Sequence, residues 1–267
     1  MEWLVLEDLA PGVTVHASRF APQGGAEEVQ LVIQPCRPGA AADQLREIEE
    51  AYEAALGALG LETGSAVLRR FLCSDLVNQK GILEESAIAR RNPVEPCVVS
   101  WVGQPGVPDA KFVLWAHHLR DPQGGLDKRG EGGSMGLRRG DLTHHWSMGL
   151  ADPSGAISHA QTEQIFTHNS AWLDGKKMTL ADHAVRTWLY VQNIDANYEG
   201  LVVARREFFA QHGLTPETHY LASSGIEGGS IDPQAVVTMD AYAIEGLRPE
   251  QVDYLHALDH LGPTHEY

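Results

Sequence analysis

One carboxylate stands in an otherwise apolar run late in this 267-residue sequence: Asp240, within Val236-Val-Thr-Met-Asp-Ala-Tyr-Ala-Ile244. An ionised carboxylate on a buried strand is costly unless it is paired or put to work. Asp240 is therefore the candidate general acid or base, and a backbone-bonded Asp at a sheet edge is the structural alternative. Arg186 sits mid-strand, where a planar guanidinium could clamp a substrate carboxylate bidentately. Its apparent twin Arg69 argues equally for a structural ion-pair partner. Ala222-Ser-Ser-Gly-Ile-Glu-Gly-Gly229 reads as a glycine-rich loop whose amides and two hydroxyls, Ser223 and Ser224, could face an anion. Glu227 and Thr218 would flank that ligand, and Ser147 and Tyr220 complete the candidate substrate-binding set. The loop lacks the Gly-Lys-Ser/Thr of a phosphate loop, and a tight connection between strands is its plainer reading.

Thirteen histidines raise the question of a metal. The pairs His117-His118 and His144-His145 cannot chelate as units, because neighbours on a strand point to opposite faces. His256 and His260 have i, i+4 spacing but lack the Glu of a zinc hydrolase helix. No metal and no cofactor is expected, and the histidines read as surface residues. Cys73 and Cys97 fall on expected strands without a basic neighbour in the chain, so they read as small buried hydrophobes. No Gly-x-Ser-x-Gly elbow is present.

The elements that must position these residues follow from periodicity. Thr14-Val15-His16 and Leu31-Val32-Ile33 flank a glycine turn, as in a β-hairpin. Ala42–Leu59 has helical apolar spacing, Ala66–Leu72 reads as a strand, and Leu76–Arg91 as a helix stopped by Asn92-Pro93. Cys97–Val102 and Lys111–Leu119 are strands. The order then returns: strand His145–Leu150, helix Gln161–Trp172, strand Val185–Val191, helix Tyr198–His212, and strands Tyr220–Ser224 and Val236–Ile244. Gln44 and Ile48 map onto Gln161 and Ile165 at an offset of 117, which also carries Leu68–Leu72 onto Val185–Leu189; the last strands match at 125. The reading is an α/β (α+β) chain of two tandem ββαβαββ modules, each a sheet packed by two helices. The divergent first module takes residues 1–120 and the second 142–250, with a C-terminal helix or tail at 251–267. The glycine-rich stretch 121–141 reads as a linker or loop, since it offers little apolar surface to bury.

A net charge of −16 opposes binding to a nucleic-acid backbone. Three cysteines make no disulfide framework, no uncharged run reaches the ~18 residues of a membrane span, and the start lacks a basic leader, so a cytoplasmic protein with no membrane partner is expected. Trp101, Trp115, Trp146 and Trp188 on strands suggest that one sheet face is covered by neighbouring chains, and a homotrimer is expected.

Trp146–Gly155, Gln161, Ala184–Val191 and Tyr198–Phe209 together resemble the RidA (YjgF/YER057c/UK114, endoribonuclease L-PSP-like) family, and Val237–Ala243 looks like its last strand, where a Glu commonly stands at the position of Asp240. The resemblance covers most of 142–245 and, more weakly, 12–120. It implies a chorismate mutase-like fold, trimers with clefts between sheets, a small carboxylated metabolite as partner, and hydrolysis of reactive imines or enamines at a module interface. The family's carboxylate-holding Arg would fall near Thr218 and Glu95, and neither position is Arg. A non-catalytic metabolite-binding or protein-interaction module is therefore the alternative. Chorismatases share the fold, which adds hydrolysis of a carboxylated enol ether.

Overall fold

The computed structural model describes residues 1–255 apart from Gly24, Pro93, Val107, Gln123 and Gly125. His256, His260 and most of the expected C-terminal helix lie outside the described residues; a 3-10 turn at Pro249–Gln251 precedes them. The chain divides into two compact units, Met1–Leu137 and Arg138–Tyr267.

Strands β1 (Glu2–Leu6), β2 (Val13–Phe20) and β3 (Glu27–Pro35) form an antiparallel meander, followed by α1 (Ala41–Leu59), β4 (Ala66–Cys73), α2 (Leu76–Glu85), β5 (Val98–Val102) and β6 (Phe112–Arg120). The first sheet runs β1-β2-β3-β6-β4-β5, with β4 and β5 parallel and β6 inserted antiparallel between β3 and β4. The same connectivity recurs in β7 (Asp127–Glu131), β8 (Ser134–Arg139), β9 (Leu142–Leu150), α3 (Ser158–Gly175), the single turn α4 (Leu180–His183), β10 (Ala184–Val191), α5 (Ile194–Gln211), β11 (Ala222–Glu227) and β12 (Val237–Glu245). The second sheet runs β11-β10-β12-β9-β8-β7. Two mixed six-stranded sheets with helices make this an α+β fold built from two tandem modules.

Each sheet turns one face to its helices. Along β6 the alternate residues Phe112, Leu114, Ala116 and His118 are all fully buried. Leu189 and Val191 of β10, with Val237, Met239, Ala241 and Ala243 of β12, join Ile165, Phe166, Leu201 and Phe208 in the second core. Period-two alternation therefore fixes which residues face the helices and which face away.

Gln44 and Gln161 do identical work. Gln44 Nε2 donates to the Asp109 carbonyl at 3.0 Å while Oε1 accepts the Lys111 N–H at 2.6 Å. Gln161 Nε2 donates to the Gln234 carbonyl at 2.8 Å while Oε1 accepts the Val236 N–H at 2.9 Å. Each amide ties its helix to the start of the last strand.

Several expectations need correction. Residues 121–141 are not a linker: they hold the β7–β8 hairpin, where alternation carries Met135 and Leu137 inward to near-complete burial. Two well-placed apolar residues and a sheet ladder outweigh the glycine-rich composition. Helix α2 stops at Glu85 because the Ser86 hydroxyl accepts the Ala89 N–H and closes a turn instead. The middle-strand register is off by one residue. Arg69 pairs with Ala116 and Thr187 with Ala241, so at the 125 offset of the last strands Arg69 corresponds to Thr187 and Leu68 to Arg186. A one-residue slip exchanges the two faces of a strand. Arg69 and Arg186 are thus not twins: Arg69 faces the helices and Arg186 faces away. The histidines are not all at the surface either, since His118 is fully buried and His145 nearly so.

Candidate functional site

The helix-averted face of the second sheet gathers the strongest of the sequence candidates. Trp188 lies directly across from Asp240, and Arg186 across from Tyr242, which in turn pairs with Trp146. The Arg186 guanidinium reaches the Ser224 hydroxyl at 2.7 Å and lies 5.4 Å from the Trp188 ring centroid. Trp146 and Tyr242 stack at 5.0 Å, and His144 stacks on both at 6.0 Å, with its Nδ1 2.6 Å from the Tyr242 hydroxyl. Here a half-buried cation lies beside flat, electron-rich rings.

Asp240 belongs to this face but is used locally. The β9–β12 pairing skips between Met239–Leu150 and Ala241–Ser147, leaving a bulge at Gly149, whose φ of 66° is left-handed. Asp240 Oδ1 accepts the Gly149 N–H at 2.8 Å and is 1% exposed. A charged acceptor on an otherwise unpaired bulge amide is a strong local tie. In the first unit the corresponding position is Trp115, so the carboxylate has no counterpart there.

The remaining candidates are not brought to this face. Ser223 and Ser224 lie on strand β11 rather than in a loop, so their hydroxyls point to opposite sides. Ser224 meets Arg186, whereas Ser223 accepts from Thr187 Oγ1 at 2.8 Å and from Arg205 Nη1 at 3.2 Å on the helix side. Ser147 pairs with the core residue Ala241 and shares that inner side. Glu227 caps α5, accepting the Asn193 and Ile194 N–H groups at 3.1 and 2.8 Å, as a carboxylate at a helix N-terminus does well. The Thr218 hydroxyl closes the turn after α5 on the Gly213 carbonyl at 2.7 Å. Tyr220 is half-buried just before β11, and burial, with the Glu217 charge, raises its phenol pKa.

One buried polar group, Arg205, escaped the sequence reading, and another, His118, was read there as a surface residue. Arg205, 2% exposed, projects from α5 under the sheet, where burial lowers its pKa and Nε has no hydrogen-bond partner among the described residues. Its position four residues after Leu201 and four before Phe209, on the apolar stripe, was the available signal. In the first unit His118 lies between the Ser65 hydroxyl, 2.8 Å from Nδ1, and the Tyr52 hydroxyl, 3.0 Å from Nε2. Since the Ser65 hydroxyl donates to the Glu62 carbonyl at 2.6 Å, Nδ1 carries the ring proton and Tyr52 donates to Nε2. Burial, reinforced by the charge of Arg69 among others, pushes the His118 pKa down to about 3. No cluster of metal-ligating side chains occurs among the described residues, and none of the described helices is long and apolar enough to cross a membrane.

No protein-family model matches the sequence, and no curated protein matches it. Among solved structures, a chorismatase is 12% identical, covering 88% of this chain and 78% of its own, with a TM-score of 0.58. A Mycobacterium tuberculosis member of the YjgF/YER057c/UK114 family is 24% identical over 40% of this chain and 82% of its own, with a TM-score of 0.32. The yjgF gene product of E. coli is 17% identical over 41% of this chain and 84% of its own, with a TM-score of 0.34. Members of the YjgF/YER057c/UK114 family are thus among the solved structures that match part of the chain, and the likeness to the chorismatase over most of both chains is one of fold.

Proposed function

We propose that this chain binds a small carboxylated metabolite on the helix-averted face of its second sheet. Arg186 and Ser224 take the carboxylate, and Trp188, Trp146 and Tyr242 flank the body of the ligand. The observation that carries this reading is the placement of Arg186, bonded to the Ser224 hydroxyl, lying over the Trp188 indole and sharing its face with Trp146 and Tyr242. A planar guanidinium is the side chain that best matches the geometry of a carboxylate, and the rings beside it suit a flat, unsaturated body. Binding without turnover is favoured because Asp240 Oδ1 is committed to the Gly149 amide.

The test is titration calorimetry of the whole chain with a panel of 2-oxo acids and unsaturated carboxylates, repeated for Arg186→Met. The expected result is saturable binding that weakens about tenfold or more in the variant, or ~1.4 kcal/mol. Equal binding by a folded Arg186→Met protein would overturn the assignment. Hydrolysis of an imine, enamine or enol ether is the second reading, favoured by Asp240 standing beside Trp188 on the same face. It requires turnover that falls ~10²–10⁴-fold in Asp240→Asn, the usual cost of losing a general base.

A further inference from the structure

The first unit contains a second concentration of charge, independent of Arg186. Arg69 is 3% exposed, and its Nε has no hydrogen-bond partner among the described residues. It faces the helices one strand away from Val99, and Cys97 lies two residues before Val99 on the same side. Lys128 enters from β7 and donates from Nζ to the Ala66 carbonyl at 2.8 Å; burial lowers its pKa. Its basic neighbourhood with Cys97 was invisible in sequence because residues 121–141 read as a linker. The charge of Arg69 acts on Lys128, Tyr52 and His118, and that of Glu95 acts on Lys128 and Tyr52. Arg69, Lys128 and Glu95 therefore act within one neighbourhood, and His118 is neutral near pH 7. A buried guanidinium with an unbonded N–H is expensive, and a bound anion would accept that N–H.

A cavity in the same unit reaches Cys97, which stands on the Arg69 side of the sheet. The cavity, of about 240 Å³, is lined by Arg91, Asn92, Pro96, Cys97 and Val98 on one side and by glycines of the β7–β8 hairpin with Ser134 and Met135 on the other. Arg91 reaches across from Nη1 to the Gly132 carbonyl at 2.9 Å. Cys97 lines this cavity, and its thiol lies on the sheet side to which Arg69 also projects. The volume is below the ~300–1,000 Å³ of pockets that take drug-sized ligands, which fits a ligand of few heavy atoms.

We propose that Arg69 and Lys128 form a receptor for a small monocarboxylate that enters through the cavity beside Cys97. The Nε–H edge of Arg69 supplies one prong of the bidentate geometry a carboxylate accepts, and Lys128 adds a point charge. One anion brings the cluster of Arg69, Lys128 and Glu95 to neutrality.

Cys97 is a built-in reporter. In a Cys36→Ser background, which removes the exposed thiol, the folded chain is treated with the anionic reagent iodoacetate or the neutral reagent iodoacetamide. Labelling at Cys97 is followed by peptide mass spectrometry. The expected result is that iodoacetate labels Cys97 several-fold faster than iodoacetamide, that millimolar acetate slows the labelling, and that Lys128→Met reverses the preference. Arg69→Met should abolish the protection by acetate, and Arg186→Ala should change none of these, which separates this site from the one on the second sheet. Faster labelling by iodoacetamide, with no effect of acetate, would mean that the cluster is satisfied by water and would sink the proposal. So would a Cys97 that neither reagent reaches in the folded chain but both label after unfolding, because the entry route would then be closed.

Discussion

Asp240 and Gly149 meet across the bulge between β9 and β12, the carboxylate accepting at 2.8 Å a backbone N–H that the strand ladder leaves over. The two residues depend on each other. The left-handed turn at Gly149 creates the stray amide, and Asp240 satisfies it where water has little access.

Removing the acceptor should therefore cost stability whether or not the chain is an enzyme. Asp240→Ala leaves a buried amide unpaired and is expected to lose ~1–3 kcal/mol, whereas Asp240→Asn keeps an oxygen in place and should lose less. Urea denaturation of both variants measures the difference. Equal losses would show that the charge, and not the bulge amide, is what the position requires.

His118 predicts an acid-sensitive first unit. Its folded pKa is about 3 against ~6.5 in an unfolded chain, so between those values the unfolded state binds a proton that the folded state refuses. The stability is fully present above pH 6.5 and is lost as pH falls toward 3, at up to ~1.4 kcal/mol per pH unit. His118→Gln can still bond Ser65 and Tyr52, and it should flatten that part of the stability profile. A slope unchanged from wild type would assign the acid sensitivity to other groups.

Gln44→Ala and Gln161→Ala should behave alike. Each strips partners from buried backbone groups at the start of a last strand, and losses of ~1–3 kcal/mol are expected for both. Hydrogen exchange should speed up at Lys111 in the first variant and at Val236 in the second. A variant whose exchange is unaltered at its own strand would mean the amide bridge is incidental.

Those glutamines also mark how far the sequence could be read. A polar residue on the buried stripe of each helix, at one shared spacing, was legible because helix and last strand are continuous segments of fixed geometry. The face of β4 and β10 was not legible. Deciding it requires the length of the connection from the helix to the next strand, and one residue more or less leaves composition and periodicity intact. The distance from Gln44 to Arg69 is one residue shorter than from Gln161 to Thr187, and only strand pairing reveals that these ends correspond. Asp240 and Arg186 stood out as charges in apolar strands and do share a face. Arg205 and Lys128 did not stand out, the first hidden in a helix with many charges and the second in a glycine-rich stretch. The double-serine segment at 222–227 looked like a loop because glycine and serine are common there, but β10 offered it a parallel partner.

The register of the two middle strands limits how parts of this protein can be exchanged. A chimera that transplants β10 into the first unit by matching Arg186 to Arg69 would deliver Trp188, Tyr190 and their neighbours to the wrong side of the sheet. Spliced instead with Thr187 in the place of Arg69, the graft keeps its inward and outward residues in order. It would carry Arg186 to the position of Leu68, opposite His117.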